Sequence, residues 1–206
     1  IDRFNEIAKE WDSSPRRVQT ATAVSKAILR MALPTGKERA MEFGCGTGLV
    51  TLALAPHLRQ IVAVDSSPKM LAELQDKARR LNLGNVVTLK SDMPRTLPEG
   101  RFDLIFSSMT LHHIGDLQAL FAALFDLLYP GGHIALADLD REDGSFHGDK
   151  PGIAHHGLDR GELEGWLATA GFQGPRFEDV HTVEKTNDDG SLRRYPMFLA
   201  YAERPA

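Results

Sequence analysis

Residues 41–50 read Met-Glu-Phe-Gly-Cys-Gly-Thr-Gly-Leu-Val, and they are the most informative stretch of the chain. An apolar run ends at Phe43, glycines follow at positions 44, 46 and 48, and a helical apolar pattern begins at Leu49. Glycine tolerates positive φ and lets a ligand approach the backbone closely. The start of a helix adds unpaired N–H groups and a partial positive charge, which suit an anionic group. The stretch therefore predicts a strand, a ligand-binding loop and a helix in succession.

The glycine spacing and the residue before the loop indicate which ligand is bound. A dinucleotide-binding loop has the spacing G-x-G-x-x-G, whereas here the third glycine comes one residue early and Leu49 occupies its place. Glu42 would repel a pyrophosphate but suits a cationic ammonium group. S-adenosylmethionine offers a carboxylate, an ammonium and a nucleoside together. The loop thus predicts this cofactor, with a nicotinamide-dependent oxidoreductase as the alternative.

Strand-like and helical segments alternate around this loop. Short apolar runs, typical of parallel strands buried on both faces, occur at 40–43, 61–65, 86–89, 102–107 and 133–138. Helical patterns lie between them at 49–58, 68–83 and 117–128. Repeated strand–helix units predict a doubly wound sheet whose ligand lies beyond the carboxyl ends of the strands.

Different patterns flank this alternation. The first thirty residues predict two helices with a break at 11–15, which together form an N-terminal helical cap over 1–34. Two final strands, expected at 177–183 and 197–202, read as a hairpin. We predict a single α/β domain over 1–206 with its core at 38–204. The expected fold is a Rossmann-like doubly wound sheet of seven strands, mostly parallel, with a C-terminal antiparallel hairpin.

Two helices carry clear signals at their ends. Ser67 is placed as the N-cap of the helix at 68–83, and Gly84 as its terminator. Asp159 and Glu162 form a capping-box pattern at the start of a helix that follows the fifth strand. The apolar pair that would flank this box as a hydrophobic staple is Leu158 and Leu163.

Acidic residues after the second and third strands add to the cofactor prediction. Asp65 lies about twenty residues past the loop, where a carboxylate can accept both hydroxyls of a ribose. Asp92 can accept a hydrogen bond from an adenine amino group while Met93 packs on the ring. The alternatives are a helix cap for Asp65, although Ser67 is better placed for that role, and an ordinary turn residue for Asp92.

Composition excludes several classes of protein. The chain has 206 residues, a net charge of -4 and only scattered arginine pairs, so a nucleic-acid substrate is not expected. No apolar run approaches the roughly 20 residues that span a bilayer, and residues 1–11 lack a signal-peptide pattern. The single cysteine, Cys45, suits a reducing compartment. We therefore expect a cytoplasmic monomer or homodimer that acts on a small molecule.

Several motifs together resemble class I S-adenosylmethionine-dependent methyltransferases, in particular their small-molecule, ubiquinone-biosynthesis-like group. The resemblance covers about residues 38–204, and its motifs are 42–48, 64–65, 91–92, 102–105 with 111–113, 130–132 and 170–172. It implies that S-adenosylmethionine, and the product S-adenosylhomocysteine, are held by Glu42, Gly44, Cys45, Gly46, Gly48, Asp65, Ser66, Met70, Asp92, Met93 and Ser107.

Little acid–base machinery is required for the expected reaction, an in-line SN2 transfer of a methyl group to an oxygen, nitrogen or carbon atom. The sulfonium is already electrophilic, so the protein has mainly to align the acceptor and exclude water. His112 and His113 follow the fourth strand and are the candidate catalytic bases. The alternative for each is a structural hydrogen bond that orients the loop. A noncatalytic S-adenosylmethionine-binding module also remains open.

The stretch at 139–158 is long for a connection in a compact domain and reads as a lid over the acceptor. It contains His147, His155 and His156, whose spacing matches no standard metal site, so no metal is predicted. Met109 and Trp11 complete the expected acceptor surroundings. Plain solvated polarity of the loop, and a core position for Trp11, are the alternatives.

Overall fold

A seven-stranded sheet forms the centre of the computed structural model, which describes residues 2–92, 95–96, 98–148, 150–187 and 190–206. The strands are β1 (Arg39–Phe43), β2 (Gln60–Asp65), β3 (Val86–Lys90), β4 (Phe102–Ser108), β5 (Leu128–Leu139), β6 (Gln173–Thr186) and β7 (Leu192–Glu203). Their order is β3-β2-β1-β4-β5-β7-β6. The first five are parallel, whereas β7 runs antiparallel to both β5 and β6. The predicted fold is therefore confirmed, including its closing hairpin.

Helices cover both faces of the sheet. They are α1 (Asp2–Ile7), α2 (Pro15–Ala32), α3 (Leu49–Leu54), α4 (Pro68–Arg80), α5 (Leu117–Leu127) and α6 (Arg160–Thr169). Apolar residues of α2, α3 and α4 form one core with alternate strand residues such as Ala40 and Phe106. The apolar faces of α5 and α6 form the other core with intervening strand residues such as Met41 and Ile105. This arrangement leaves the carboxyl edge of the sheet to loops and to the N-terminal elements.

Strand β3 differs from the expectation of burial on both faces. It lies at the edge of the sheet, where only β2 pairs with it. Val87 and Leu89 are exposed there. An apolar run alone does not distinguish a central strand from an edge strand, because the number of neighbours is decided by the topology.

The predicted N-caps are present. Ser67 Oγ accepts the N–H of Met70 at 3.2 Å, and Asp159 Oδ1 accepts the N–H of Glu162 at 3.0 Å. The reciprocal half of the capping box is not made, because the carboxylate of Glu162 pairs with Arg141 at 2.6 Å. A partner from the 139–158 segment thus replaces the local bond that the sequence pattern predicts.

Helix α4 ends at Arg80, earlier than expected, and Gly84 is not its terminator. Asn82 takes the left-handed conformation, with φ of 56°, and the N–H of Leu83 donates to the carbonyl of Ala78 at 2.9 Å. Asparagine tolerates this conformation better than other residues with a Cβ because its short side chain is polar.

The N-terminal elements form a nearly continuous helical arm. A 3-10 helix at Ala8–Ser13 fills most of the predicted break, so that only Ser14 is extended before α2 begins at Pro15. Proline suits this first helical position because its missing N–H would have no partner there. Across the described ranges, no helix is both long and apolar enough to cross a membrane.

Candidate active site

A cleft of about 330 Å³ lies beyond the carboxyl ends of β1, β2 and β4. The last residues of these strands, Phe43, Asp65 and Ser108, line it. This is the point between β1 and β4 where the strand order reverses, as expected for a doubly wound sheet. The N-terminal arm and part of the 139–158 segment also line the cleft. Its volume is that of a small-molecule site.

Most predicted site residues meet at this cleft. Those that line it are Trp11, Glu42, Gly44, Cys45, Gly46, Asp65, Ser66, Met70, Asp92, Met109, His112, His113 and His147. Met93 lies outside the described residues. Four predicted residues do not line the cleft, namely Gly48, Ser107, His155 and His156.

The three glycines of the loop have different surroundings, although all have positive φ. A Cβ at Gly44 would lie 2.3 Å from the side chain of Thr110, and one at Gly48 would lie 2.2 Å from Leu74. A Cβ at Gly46 would meet nothing within 4 Å, and Gly46 lines the cleft. Gly48 therefore permits the loop to pack on α4, whereas Gly46 leaves open space where a ligand can approach the backbone.

Asp65 joins the loop to the end of β2. Its Oδ2 accepts the N–H of Gly46 at 2.7 Å, and its Oδ1 accepts the N–H of Ser67 at 2.8 Å. Burial raises the pKa of Asp65, and these two hydrogen bonds oppose the rise. Each carboxylate oxygen has two lone pairs, so each keeps capacity for a ligand hydroxyl.

Glu42 is buried at the floor of the cleft, with 2 % of its surface exposed. It accepts a hydrogen bond from the hydroxyl of Thr51. Burial, and then the negative charge of Asp65, raise the pKa of Glu42 to about 8. A carboxyl group held in this way lacks a positive partner, and a cationic ligand group beside it would stabilise its charged form. This observation fits the expectation from the sequence that Glu42 pairs with an ammonium group of the ligand.

Cys45 is unsuited to act as a nucleophile, and Ser107 has a structural role. Burial, and then the charges of Asp65 and Glu42, hold the pKa of the Cys45 thiol well above its usual range, so it is no nucleophile. Ser107 is fully buried, and its hydroxyl donates to the carbonyl of Phe43 at 2.8 Å. The expected cofactor contact of Ser107 is thus replaced by a bond between β4 and β1, and its neighbour Ser108 lines the cleft instead.

His112 forms a buried pair with Asp138, the penultimate residue of β5. Nδ1 of His112 lies 2.7 Å from Oδ1 of Asp138. The backbone N–H groups of His112 and Leu139 also donate to this carboxylate, at 3.2 and 2.8 Å. Burial alone would raise the pKa of Asp138, but the charge of His112 and these hydrogen bonds outweigh it and lower the pKa. The ionised carboxylate places the proton of His112 on Nδ1 and leaves the lone pair on Nε2.

His113 is held in the same tautomer by a backbone group. Its Nδ1 donates to the carbonyl of Gly152 at 2.7 Å, and its ring lies edge-on to Phe4. Burial, and then the charge of His112, lower the pKa of His113. His113 is therefore neutral at neutral pH and links β4, the N-terminal arm and the 139–158 segment.

The other predicted histidines divide between cleft and loop. The ring centroid of His147 lies 4.6 Å from that of His112. His155 donates from Nε2 to the carbonyl of Ile114 at 2.8 Å, and His156 lies beside Glu142. Since His155 and His156 fasten the loop and do not line the cleft, their expected contact with the acceptor is not made. No group of three or more potential metal ligands is present in the described part of the chain.

The 139–158 segment is more firmly attached than its polar composition indicates. The N–H of Arg141 donates to Leu158 at 3.0 Å and that of Glu142 to His156 at 2.9 Å, which closes its base. Phe146 is buried against Tyr195, with ring centroids 5.0 Å apart. The segment therefore has an apolar anchor, which plain solvated polarity of the loop, the alternative left by the sequence, does not include.

Sequence reasoning missed several residues that shape the cleft. Asp12 of the N-terminal arm accepts the hydroxyl of Thr47 at 2.5 Å and also pairs with Lys77 of α4. Asp138 was detectable, because a carboxylate at the carboxyl end of a parallel strand faces the ligand edge. In the sequence, Arg16 and Arg17 are one of several scattered pairs and Arg3 has no assigned role; only the fold brings these three arginines to the cleft.

Comparison with known proteins agrees with the class that the sequence motifs indicate. Residues 40–132 match a family model described as a methyltransferase domain. Together with the reversed strand order and the cleft beyond β1, this match supports a class I S-adenosylmethionine-dependent methyltransferase. The open space at Gly46 and the carboxyl of Glu42, which has no cationic partner among the described residues, fit S-adenosylmethionine as the cofactor. The nicotinamide alternative is set aside.

Individual relatives agree with this class. An uncharacterised methyltransferase of Schizosaccharomyces pombe is 36% identical over 57% of this chain, which spans only 46% of that protein. A ubiquinone biosynthesis O-methyltransferase of Xanthomonas euvesicatoria is 27% identical over 100% of this chain and 93% of its own length. The crystal structure of a SAM-dependent methyltransferase from Aquifex aeolicus shares the fold, with a TM-score of 0.72, 23% identity and coverage of 97% and 98% of the two chains.

Proposed function

We propose that this chain methylates a hydroxyl group of a small molecule, and that His112 accepts the hydroxyl proton with Asp138 as its positioning residue. The observation that carries the proposal is the buried bond of 2.7 Å between His112 Nδ1 and Asp138 Oδ1 beside the cleft. An O-methyltransferase among the relatives supports oxygen as the acceptor atom. The single buried cysteine suits a reducing compartment, and we propose the cytoplasm.

The cofactor end of the cleft supplies binding. We propose that the ligand approaches the backbone closely at Gly46. Asp65 is proposed to bind the ribose hydroxyls, and Glu42 to bind the ammonium group. Asp92 lines the same end and is proposed to contact the adenine. When bound, S-adenosylmethionine supplies a methyl group on an electrophilic sulfonium. The residues around it have to hold the acceptor oxygen in line with that methyl group, which is the main source of rate in such a transfer.

His112 is better suited than His113 to take the proton. An imidazolium at His112 would be stabilised by the adjacent carboxylate of Asp138, as in other histidine–aspartate pairs. His113 has only a carbonyl partner, and the charge of His112 lowers its pKa. Because the two rings lie 4.2 Å apart, a proton on one disfavours a proton on the other. We therefore propose that His113 remains neutral and orients the loop.

The N-terminal arm and the 139–158 segment are proposed to exclude water from the acceptor. Phe4 and Trp11 of the arm and Phe146 of the segment line the cleft. A dry site strengthens the electrostatic interactions within it and prevents hydrolysis of the methyl donor. The segment is proposed to act as a lid whose anchored base leaves residues near its tip to move.

The experiment measures transfer from methyl-labelled S-adenosylmethionine to a panel of hydroxylated, amino and carbon-acid compounds and to a metabolite extract. We expect label in an O-methyl product, and we expect His112→Ala to lower turnover by about 10²–10⁴-fold with S-adenosylhomocysteine affinity unchanged. The exposed His57 lies outside the cleft, and His57→Ala is the matched control. Label only in N- or C-methyl products would contradict the proposal. Tight cofactor binding without any transfer would favour a noncatalytic module.

A further inference from the structure

Charged side chains are segregated along the cleft. The acidic residues that line it are at the cofactor end: Glu42 lies near the end of β1, Asp65 is the last residue of β2, and Asp92 follows β3. The basic residues come from other elements: Arg3 from α1, Arg16 and Arg17 from α2, and Lys150 from the 139–158 segment. The acidic end suits the cationic groups of the cofactor. The cofactor has a single carboxylate, which can pair with only part of the basic side and leaves room for a second anion there.

Arg3 and Arg16 are both close enough to Arg17 to repel its positive charge. The guanidinium of Arg17 lies 3.8 Å from the ring centroid of Trp11. It also donates a hydrogen bond to the backbone carbonyl of Trp11 at 3.1 Å. Burial lowers the pKa of Arg17, the positive charges of Arg16 and Arg3 lower it further, and Asp12 opposes them. Arg16 lies over Phe146, 5.7 Å from its ring centroid. Like charges assembled in this way favour an anion between them.

Acidic side chains of the described residues do not pair with these three arginines. Among the side chains that the structure describes, none that is acidic forms an ion pair within 4 Å with Arg3, Arg16 or Arg17. Asp12, the acid that attracts Arg17, is already bonded to Thr47 and Lys77. Positive charge therefore remains at this side of the cleft.

An unsatisfied polar atom lies on the same side. Nε2 of His147 is buried and has no hydrogen-bond partner among the residues that the structure describes. The ring of His147 contacts that of Phe146, with centroids 4.7 Å apart, and Phe146 in turn lies under Arg16. Buried polar atoms in proteins almost always have a partner, so a ligand atom is the expected partner of this one.

We propose that the methyl acceptor is an organic oxyanion, a carboxylate or phosphate carried on an apolar or aromatic body. Arg3, Arg16 and Arg17 hold the oxyanion, and His147 Nε2 completes its surroundings. The aromatic residues Phe4, Trp11 and Phe146 pack on the body. Guanidinium groups match the geometry of both anions by paired N–H bonds. This inference rests on the proposed function, because the same cleft has to hold the acceptor beside the cofactor.

The experiment measures binding of three probes to the chain loaded with S-adenosylhomocysteine: benzoate, phenyl phosphate and the neutral benzamide. Trp11 lies in the cleft, so its fluorescence and calorimetry both report occupancy. We expect at least one anion to bind about tenfold or more tightly than benzamide, and its affinity to fall as salt is added. The stronger of the two anions identifies which oxyanion the acceptor carries.

Arginine variants test the assignment. Arg16→Gln, and the double variant with Arg17→Gln, should lower the affinity of the preferred anion by about tenfold or more. Arg59 is exposed and lies outside the cleft, so Arg59→Gln is the matched control. Among the described residues, the side chain of Arg16 contacts only the ring of Phe146. The single variant Arg16→Gln should therefore keep the melting temperature even where the double variant does not.

The two proposals fail in different ways. Equal binding of benzamide and both anions, or unchanged anion affinity in folded Arg16→Gln, would overturn the oxyanion assignment. Methyl transfer to a neutral alcohol alone would also overturn it, while the proposed O-methyl transfer would stand. Failure of S-adenosylhomocysteine to bind would contradict the proposed function, and anion binding to the cofactor-free chain would still support the arginine site.

Discussion

The carboxylate of Asp65 accepts the backbone N–H of Gly46 at 2.7 Å and thereby fixes the glycine loop against the end of β2. The same carboxylate accepts the N–H of Ser67, the N-cap of α4. Asp65 thus links the loop, the strand and the following helix at the cofactor end of the cleft. A substitution at this position should affect the shape of the loop as well as the ligand contact.

Asp65→Ala should lower both cofactor affinity and stability. Removing the carboxylate leaves two backbone N–H groups without their acceptor and also removes the proposed ribose contact. We expect S-adenosylhomocysteine affinity to fall by about tenfold or more, with a loss of stability on the order of 1–3 kcal/mol. Calorimetry and thermal unfolding measure the two effects. The control variant is Asp76→Ala, at an exposed aspartate. Unchanged S-adenosylhomocysteine affinity in Asp65→Ala would reject the assignment of Asp65 to the ribose hydroxyls.

Gly46→Val should weaken cofactor binding beyond what backbone strain explains. Gly46 has φ of 53°, so any residue with a Cβ is strained there, and a valine would also project into the open cleft. Gly174 has a similar φ of 59°, equal open space and an exposed position away from the cleft. Gly174→Val should therefore match the loss of stability, on the order of 1–2 kcal/mol, without the loss of S-adenosylhomocysteine affinity. Equal affinities in the two variants would remove the ligand-approach role of Gly46.

Glu42 should make the chain less stable as pH rises. Its pKa is about 8 in the folded chain against 4.5 ordinarily, so the folded state binds the proton more tightly. The stabilisation is complete below about pH 4.5 and is lost as pH rises through 8. Glu42→Gln cannot ionise, and at pH 9 it should exceed the parent in free energy of unfolding by on the order of 2–4 kcal/mol. Denaturant unfolding from pH 5 to 9 measures the difference, with the exposed Glu164→Gln as control. Parallel curves for parent and Glu42→Gln would contradict the raised pKa.

Cofactor binding near neutral pH should release a proton from Glu42. An ammonium group beside this carboxyl would favour its charged form and lower its pKa. Calorimetry of S-adenosylhomocysteine binding at pH 7 in buffers of different ionisation enthalpy counts the protons released. We expect Glu42→Gln to release fewer than the parent; identical counts would show that the ammonium group lies elsewhere.

Asp12→Asn should loosen the N-terminal arm from the glycine loop. The side chain of Asp12 joins Thr47 of the loop to Lys77 of α4, and both contacts are partly buried. We expect faster hydrogen exchange in 8–32 and a modest loss of stability, about 1–2 kcal/mol. The surface pair of Asp143 and Arg193 gives the control Asp143→Asn, which should leave exchange in the arm unchanged. Unchanged exchange in Asp12→Asn as well would mean that apolar packing alone holds the arm.

Local patterns in the sequence were enough for the framework. The strand, loop and helix at 41–50, the order of strands and helices, and the caps at Ser67 and Asp159 all depend on residues within a turn or two of one another. Backbone sterics and the burial of apolar residues act at that range. The glycine spacing and Glu42, which are also local, indicated which cofactor is expected. Where a competing partner came from far along the chain, as Arg141 did for Glu162, the local rule was incomplete.

Only the tertiary structure decided which side chains share the cleft. It brings Asp138 to His112 across 26 residues, sets Arg16 over Phe146, and separates Gly46, which faces open space, from Gly48, which packs on Leu74. It also fastens His155 into the loop while His147 reaches the cleft. Such pairings follow from how helices and loops pack at the carboxyl edge of the sheet. Packing depends on contacts between residues that are remote in sequence, so no local pattern specifies them.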